Sequence, residues 1–307
     1  MSTCLDEITV LSVCYNSKSV IAKSLTPFMG ANQVIVIDNA SADGSADYIE
    51  KTLPSVTLIK NKTNKGYGAG VNSGLSQVKT PYLLFVTPDV ELTLEGVEEL
   101  YKALIKYDDA AFVSPQLEVP RHGLENWVMG PWEHTHNKAD FTPDGNFCTW
   151  FLPGTTNLWR TSVLQDLGGY DENIFLYHED LELCHRVNQA GHSIICIPSV
   201  VAFHNNSHSA GASSMKLHWR KDWNYAWGNL YILDKYSGRS TMWKEVRRSL
   251  ALKCLKSMFY ILVLDKKRFI RDAAAMSGYV AYIAGYQPKQ KRLEGTTKKP
   301  TPFSEIG

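Results

Sequence analysis

Gln33-Val34-Ile35-Val36-Ile37-Asp38-Asn39-Ala40-Ser41-Ala42-Asp43-Gly44-Ser45 is an unbroken apolar run that stops on a polar loop holding a glycine. Apolar residues without alternation mark a strand buried on both faces. The loop supplies cap and turn residues for a helix through Ile49. The same unit recurs on either side. Residues 8–13 read as a buried strand running into Cys14-Tyr15-Asn16, with a helix over 19–29. A third strand over 56–59 precedes a turn at 61–64 and a helix over 66–78. A fourth over 82–86 stops at Thr87-Pro88-Asp89, followed by a helix over 94–106 and a strand over 111–113. Strands alternating with helices predict an α/β fold, Rossmann-like, with a mostly parallel central sheet flanked by helices. Ligands of such sheets bind beyond the carboxyl ends of the strands. Here those ends carry Tyr15-Asn16, Asp38-Asn39, Asn64-Lys65-Gly66 and Asp89, a polar group of residues at each.

Residues 118–146 are irregular and rich in Gly, Pro, His and Trp, the profile of a functional or mobile loop. The chain becomes apolar again at 147–152 and turns at Pro153-Gly154. After the Gly168-Gly169 turn comes Tyr177-His178-Glu179-Asp180-Leu181-Glu182, three carboxylates within four positions beside an imidazole. Two readings stand: a solvated first helical turn, where acids suit the helix dipole, or a general base or cation site. The helix expected over 179–190 ends at Gly191. Short strands over 193–201 lead to Phe203-His204-Asn205-Asn206-Ser207-His208, and 216–233 is aromatic and helical.

The chain has 307 residues and a net charge of +1, which hides an asymmetry. From Arg239 onward there are 15 Lys+Arg against 5 Asp+Glu; before it, 17 against 26. An acidic body repels an anionic ligand unless a cation intervenes, whereas the basic end suits an anionic membrane or a phosphate-bearing partner. The basic end holds two amphipathic helical segments within 237–288, with Leu250, Cys254, Met258, Ile261 and Leu262 on one broad face of the first. The Lys-rich segment 289–307 is expected to be disordered. The six cysteines form no Cys-x-x-Cys pair and read as thiols of a reducing, cytoplasmic compartment. Neither a signal peptide nor a run long enough to span a bilayer is evident. Nothing points to nucleic acid.

Taken together, "VIDNASADGS" at 36–45, "NKGYGAGVNSGL" at 64–75, "LLFVTPDVEL" at 83–92, "LGGYDENIFLYHEDLELCHRVNQAG" at 167–191 and the His204 segment resemble inverting family 2 glycosyltransferases with the GT-A fold, most closely their rhamnosyltransferase-like branch. The resemblance covers about three quarters of the chain and implies a catalytic domain over 1–236, with a nucleotide-sugar half over about 1–115 and an acceptor half over about 116–236. It implies a nucleotide-diphosphate sugar donor. Asp38 matches the residue that reads uracil or thymine, Tyr15 and Asn16 the loop lining the nucleoside, and Asn64, Lys65 and Gly66 the segment against ribose and phosphates. Glycines at 66, 68 and 70 would let backbone approach the ligand; a Gly-rich helix start without a ligand is the other reading. Asp89 matches the last carboxylate of the metal motif, here Thr87-Pro88-Asp89 where Asp-x-Asp is common. The implied cofactor is Mn²⁺ or Mg²⁺ on Asp89 and His204, with His208 as rival. Asp180 matches the catalytic base, with Glu179 in support and Glu182–Arg186 as a structural pair. Trp150 and Gly154 lie where the acceptor site is built.

The expected donor is dTDP-rhamnose, with UDP-galactofuranose, UDP-GlcNAc or UDP-galactose as alternatives. The expected acceptor is a saccharide, lipid-linked, in cell-surface polysaccharide (O-antigen-type) synthesis. The basic region would then lie peripherally on the inner membrane face, or pack on the catalytic domain or a second subunit of a homodimer. A non-catalytic sugar-nucleotide-binding subunit is the reading outside catalysis; intact Asp38, Asp89 and Asp180 argue against it.

Overall fold

The computed structural model describes residues 4–120, 122–125, 127, 128, 142–205 and 215–288. They fall into two compact units, one drawn from Met1–Asp171 and Asp180–Gly211, the other from Glu172–Glu179 and Ala212–Gly307. In the first unit the chain runs β1 (Ile8–Cys14), α1 (Ile21–Leu25), β2 (Gln33–Asp38), α2 (Ser45–Thr52), β3 (Thr57–Lys60), α3 (Tyr67–Leu75) and β4 (Tyr82–Val86). It continues through β5 (Val90–Glu91), α4 (Leu94–Lys106), β6 (Ala110–Val119), β7 (Gly123–Glu125), β8 (Phe147–Cys148), β9 (Thr156–Arg160), α5 (Thr161–Asp166), α6 (Glu179–Gln189) and β10 (Ser193–His204).

The sheet order is β3-β2-β1-β4-β9-β6-β10-β5. Strands β1 to β4 are mutually parallel, as their βαβ rhythm requires. β9, which the sequence did not reveal as a strand, enters antiparallel between β4 and β6, so the sheet is mixed. Each strand of the parallel block divides its side chains between two cores. Ile8, Val10 and Cys14 pack on one face with Ile21, Leu25 and Leu100, beneath α1, α2 and α4. Leu11 and Val13 pack on the other with Val71, Leu164 and Leu183, beneath α3, α5 and α6. Burial on both faces explains why β1 and β2 read as unbroken apolar runs. β1 has β2 on one side and β4 on the other, so the order reverses there, the position beyond whose carboxyl ends sheets of this kind bind ligands.

Two boundaries differ from expectation. The helix expected over 19–29 is only α1, because Pro27 lacks an amide and the chain tightens into a 3-10 turn at Thr26–Phe28. β6 runs to Val119, longer than expected.

The second unit holds α7 (Met215–Ile232), α8 (Arg239–Leu262) and α9 (Lys266–Ile283). α7 groups with the tail helices, so this helical unit begins before residue 237. α7 and α9 cross closely at Gly278, where a Cβ would lie 2.5 Å from the Trp223 carbonyl oxygen. Trp227 is buried, stacks on Tyr231 and donates its indole N–H to the Tyr286 carbonyl at 2.8 Å. Residues 289–307 lie outside the described residues. Among the described residues, no helix is long and apolar enough to cross a membrane.

Candidate active site

β1 and β2 end side by side, with Cys14 paired to Asp38. Asp38 is buried; its Oδ2 accepts from the Ser41 amide at 3.1 Å, and its Oδ1 has no hydrogen-bond partner among the described residues. An unpartnered buried acceptor costs about 1–3 kcal/mol, a cost a ligand N–H at Oδ1 would remove. Asn16 adopts φ 52°, its amide donating to Ser41 Oγ at 2.9 Å and its Oδ1 accepting from the Ala42 amide at 2.8 Å. Its side chain thus folds the Asp38 loop. Neighbouring Tyr15 is half-buried.

Asn39, named from the sequence only as part of the polar end of β2, ties the loops after β2 and β3 together. Its Oδ1 accepts from Asn61 Nδ2 and the Lys65 amide, both at 3.1 Å. Its Nδ2 donates to Asn64 Oδ1 at 3.1 Å and the Gly66 carbonyl at 2.8 Å. Lys65 Nζ reaches Ser73 Oγ at 3.5 Å. Gly66 precedes α3 at φ 85°, a conformation that favours glycine. The first-turn amides of α3 and its dipole suit an anion. Gly68 and Gly70 have a reason other than ligand approach: a Cβ on Gly68 would lie 2.7 Å from Tyr170 Cβ, and one on Gly70 2.9 Å from Val13 Cγ1. They let α3 pack closely.

At the end of β4, Asp89 is buried. The two-residue strand β5 pairs with the end of β10, His204 opposite Val90, and the Asn205 amide donates to the Asp89 carbonyl at 2.9 Å. This brings His204 Nε2 to 3.6 Å from Asp89 Oδ2. Two donors each about 2.1 Å from one small divalent cation lie at most about 4.2 Å apart, so the pair fits a shared ion. Among the described residues no group of three His, Cys, Asp or Glu could hold a metal, so remaining positions would fall to ligand oxygens and water. His208 lies outside the described residues.

Asp180 opens α6. Its side chain lies against Gly154, where any Cβ would overlap Asp180 Oδ1. Burial pushes its pKa up to about 6, outweighing the Gly154 amide and the Tyr170 hydroxyl, which favour the charged form. Tyr170 is itself held from three sides. Its amide and carbonyl pair with the Asn72 carboxamide, both at 2.9 Å, its ring meets Tyr67 edge-on at 5.8 Å, and it packs over Gly68. The Tyr67 hydroxyl in turn donates to the Gly154 carbonyl at 2.7 Å. Helix α3 and Asp180 therefore share one packed support. Asp180 is also tied to the metal candidate: the Thr87 amide donates to the Thr155 carbonyl at 3.0 Å, joining the peptide after Gly154 to the turn that carries Asp89.

The segment 150–154 runs antiparallel to α6. Asn188 Nδ2 donates to the Trp150 carbonyl at 3.2 Å, Cys184 Sγ reaches the Leu152 carbonyl at 3.7 Å, and Gly154 meets Asp180. Trp150 is exposed, but its backbone is anchored two turns along α6, about 12 Å from the level of Asp180 at 1.5 Å per residue. The structure brings Gly154 to Asp180 and anchors the Trp150 backbone two turns further along α6. Trp159 is core, stacked on Phe112 at 4.2 Å.

Glu182 is fully buried and bridged by Arg186, whose Nη2 lies 2.7 Å from Oε2. Arg186 also donates to the carbonyls of Leu167 at 2.6 Å and Gly169 at 2.7 Å, clamping the positive-φ glycine pair that precedes Tyr170. The pair is structural, as expected. Removing one partner strands a buried charge, so Arg186→Ala is expected to cost about 3–5 kcal/mol, read as a lowered unfolding midpoint. A midpoint unchanged from wild type would place the clamp at the surface in energetic terms.

In the second unit, His178 has its pKa lowered to about 4 by burial, and its Nε2 lies 3.0 Å from the Tyr225 carbonyl. It is a neutral donor there. Tyr177 and His178 hold consecutive positive φ angles of 65° and 70°. Glu179 is buried, and its charge adds to the burial that pushes the Tyr177 pKa up to about 12.

Residues 9–168, which span β1 to the Gly168-Gly169 turn, match Glycosyl transferase family 2. The chain belongs to that family. It is similar to the N-acetylglucosaminyl-diphospho-decaprenol L-rhamnosyltransferase of Mycobacterium tuberculosis, at 25% identity over 81% of this chain and 92% of the relative. The fold matches the mannosyltransferase PcManGT of Pyrobaculum calidifontis in complex with GDP-Man and Mn²⁺, at 14% identity and a TM-score of 0.55, covering 90% of this chain and 87% of that one. It also matches GalNAc-T7 with UDP, GalNAc and Mn²⁺, at 16% identity and a TM-score of 0.53. There the match covers 73% of this chain but only 50% of that chain. The architecture is that of GT-A glycosyltransferases with added C-terminal helices.

Within this family 2 glycosyltransferase, one unit gathers Asn16, Asp38, Asn64, Lys65, Gly66, Asp89, His204, Gly154 and Asp180 about the carboxyl ends of its strands. Asn72 and Tyr170 escaped sequence reasoning, and the bonds of Asn39 to the loop after β3 were not legible in it. Only the tandem glycines ahead of Tyr170 hinted at a residue held in a fixed place.

Proposed function

We propose that this glycosyltransferase is an inverting, divalent-cation-dependent enzyme that transfers L-rhamnose from dTDP-rhamnose to a lipid-linked saccharide acceptor at the inner membrane face. The observation that carries the reading is the half-buried Asp180, its Oδ1 enclosed and its pKa raised to about 6, in the same unit as the Asp89–His204 pair. An acceptor hydroxyl is a poor nucleophile at neutral pH, and a positioned carboxylate that takes its proton contributes about 10²–10⁴-fold. With a folded pKa near 6, Asp180 is ionised at neutral pH yet basic enough to accept that proton. Asp89 and His204 would hold a Mn²⁺ or Mg²⁺ ion, which when bound supplies Lewis-acid neutralisation of the departing diphosphate. Asp38 Oδ1 accepts the N3–H of thymine or uracil, which cytosine lacks, and the α3 N-terminus with Lys65 faces the phosphates. Gly154 supports the acceptor side. The donor and acceptor assignments draw on similarity to the mycobacterial rhamnosyltransferase, and the cation on the Mn²⁺-bound structural relatives.

Thermal stability across a panel of nucleotide sugars, with and without Mn²⁺, tests this. A ligand at a hundred times its Kd stabilises by about 2.7 kcal/mol. dTDP-rhamnose with Mn²⁺ is expected to raise the unfolding temperature most, with CDP-sugars inert. Stabilisation by UDP-sugars alone would reassign the donor.

A further inference from the structure

The end of α8 carries an uncovered apolar cap. Leu255 is 66% exposed, Met258 65%, Phe259 57%, Ile261 57%, Leu262 81% and Leu264 87%. At 100° per residue, the five on the helix span roughly 160° of its circumference, one broad apolar face. Leu264 holds φ 57°, a turn conformation usually left to Gly or Asn, so a bulky apolar group sits at the tip against local preference. Contiguous apolar surface of this kind marks a binding site for a membrane or a partner. The flanking charges select between them. Lys256, Lys266, Lys267 and Arg268 are all exposed at the base of the cap. Among nearby acids, Asp265 caps α9 through the Arg268 amide at 3.0 Å and also lies 3.5 Å from the Arg268 guanidinium, and Asp272 pairs with Lys253 at 3.2 Å.

We propose that the α8–α9 turn inserts end-on into the interface of an anionic lipid bilayer, with its leucines and Phe259 among the acyl chains and the lysines and Arg268 on headgroup phosphates. This rests on, and deepens, the membrane-face reading above. A second copy of the chain seated on the same cap would bring these cations together and meet repulsion. An anionic leaflet attracts them, and the shallow apolar end matches the depth reached by interfacial helices.

The test is vesicle flotation of the full chain with phosphatidylcholine alone and with added phosphatidylglycerol. The wild type is expected to float mainly with the anionic vesicles. A Leu262→Asp, Leu264→Asp double variant should lose at least roughly tenfold in bound fraction. A Lys266→Glu, Lys267→Glu variant should lose the preference for phosphatidylglycerol. A wild type that does not float, an aspartate variant that floats equally, or a concentration-dependent dimer abolished by the aspartates would each overturn the proposal. Flotation needs no sugar donor, and both variants are expected to keep the donor-induced thermal shift. Failure here therefore leaves the rhamnosyl-transfer reading intact, and the converse holds.

Discussion

Asp180→Asn is expected to lower sugar transfer by about 10²–10⁴-fold while leaving donor-nucleotide binding in place. The substitution keeps the shape of the side chain against Gly154 and removes its capacity to accept a proton. In the wild type, transfer should rise with pH through about 6, the folded pKa of Asp180, and then level off. Tyr170→Phe removes a donor that favours the carboxylate, so the acid limb should move to higher pH while the base remains. A structural loss alone would lower the rate at every pH and leave the limb where it was. The same burial has a thermodynamic sign. A carboxyl raised from 3.8 to about 6 on folding contributes stability below pH 3.8 that is lost as pH rises through about 6. Asp180→Asn should therefore stabilise the ligand-free protein at pH 7, by on the order of 1–3 kcal/mol, and leave it unchanged near pH 3. Transfer at the wild-type rate in the Asn variant would remove Asp180 from the chemistry.

The second large effect is expected at Asp89. Asp89→Asn replaces the carboxylate proposed to face the cation with a neutral oxygen, in a unit that on this reading holds a diphosphate. Lewis-acid stabilisation is worth several kcal/mol, so transfer should fall by about a thousandfold. The Mn²⁺-dependent part of the donor-induced thermal shift should vanish with it. His204→Ala, which leaves the carboxylate, should cost less. If the Asn variant still shows a Mn²⁺-dependent shift with dTDP-rhamnose, the ion is held elsewhere.

What the sequence disclosed, and what it withheld, follows from the range of the interactions. β1, β2 and β4 were legible because strands buried on both faces leave an unbroken apolar signal. Asp38 and Asp89 could be picked out as candidates because each stands at or just past the end of such a run, whereas Asn64 follows β3 after a turn. β9 stayed hidden: its polar neighbours mask a short run, and its antiparallel place between β4 and β6 is fixed by pairing across long stretches of chain. Gly68 and Gly70 were read as making room for a ligand, whereas they make room for Tyr170 and Val13, contacts that no local pattern encodes. Arg186 was legible in part. Its i,i+4 spacing from Glu182 predicted their pairing, but its bonds to Leu167 and Gly169 depend on where the glycine turn folds back. The place of Trp150 was likewise not legible, since adjacency to Gly154 in sequence becomes separation along α6 once the segment is extended beside the helix.

The hydrogen bond from Thr87 to Thr155 sets a fixed span within the molecule. It anchors the turn bearing Asp89, the proposed cation ligand, to the peptide that seats Asp180, the proposed proton acceptor, and both hang from the same end rung of the β4–β9 ladder, Val86 opposite Thr156. Leaving group and nucleophile would then be measured against a stiff ruler, and a sugar of different ring size or anomeric reach could not be accommodated by sliding one end alone. Altering which sugar is moved should require changes on the walls around that ruler, while changes to the ruler itself should diminish every substrate alike.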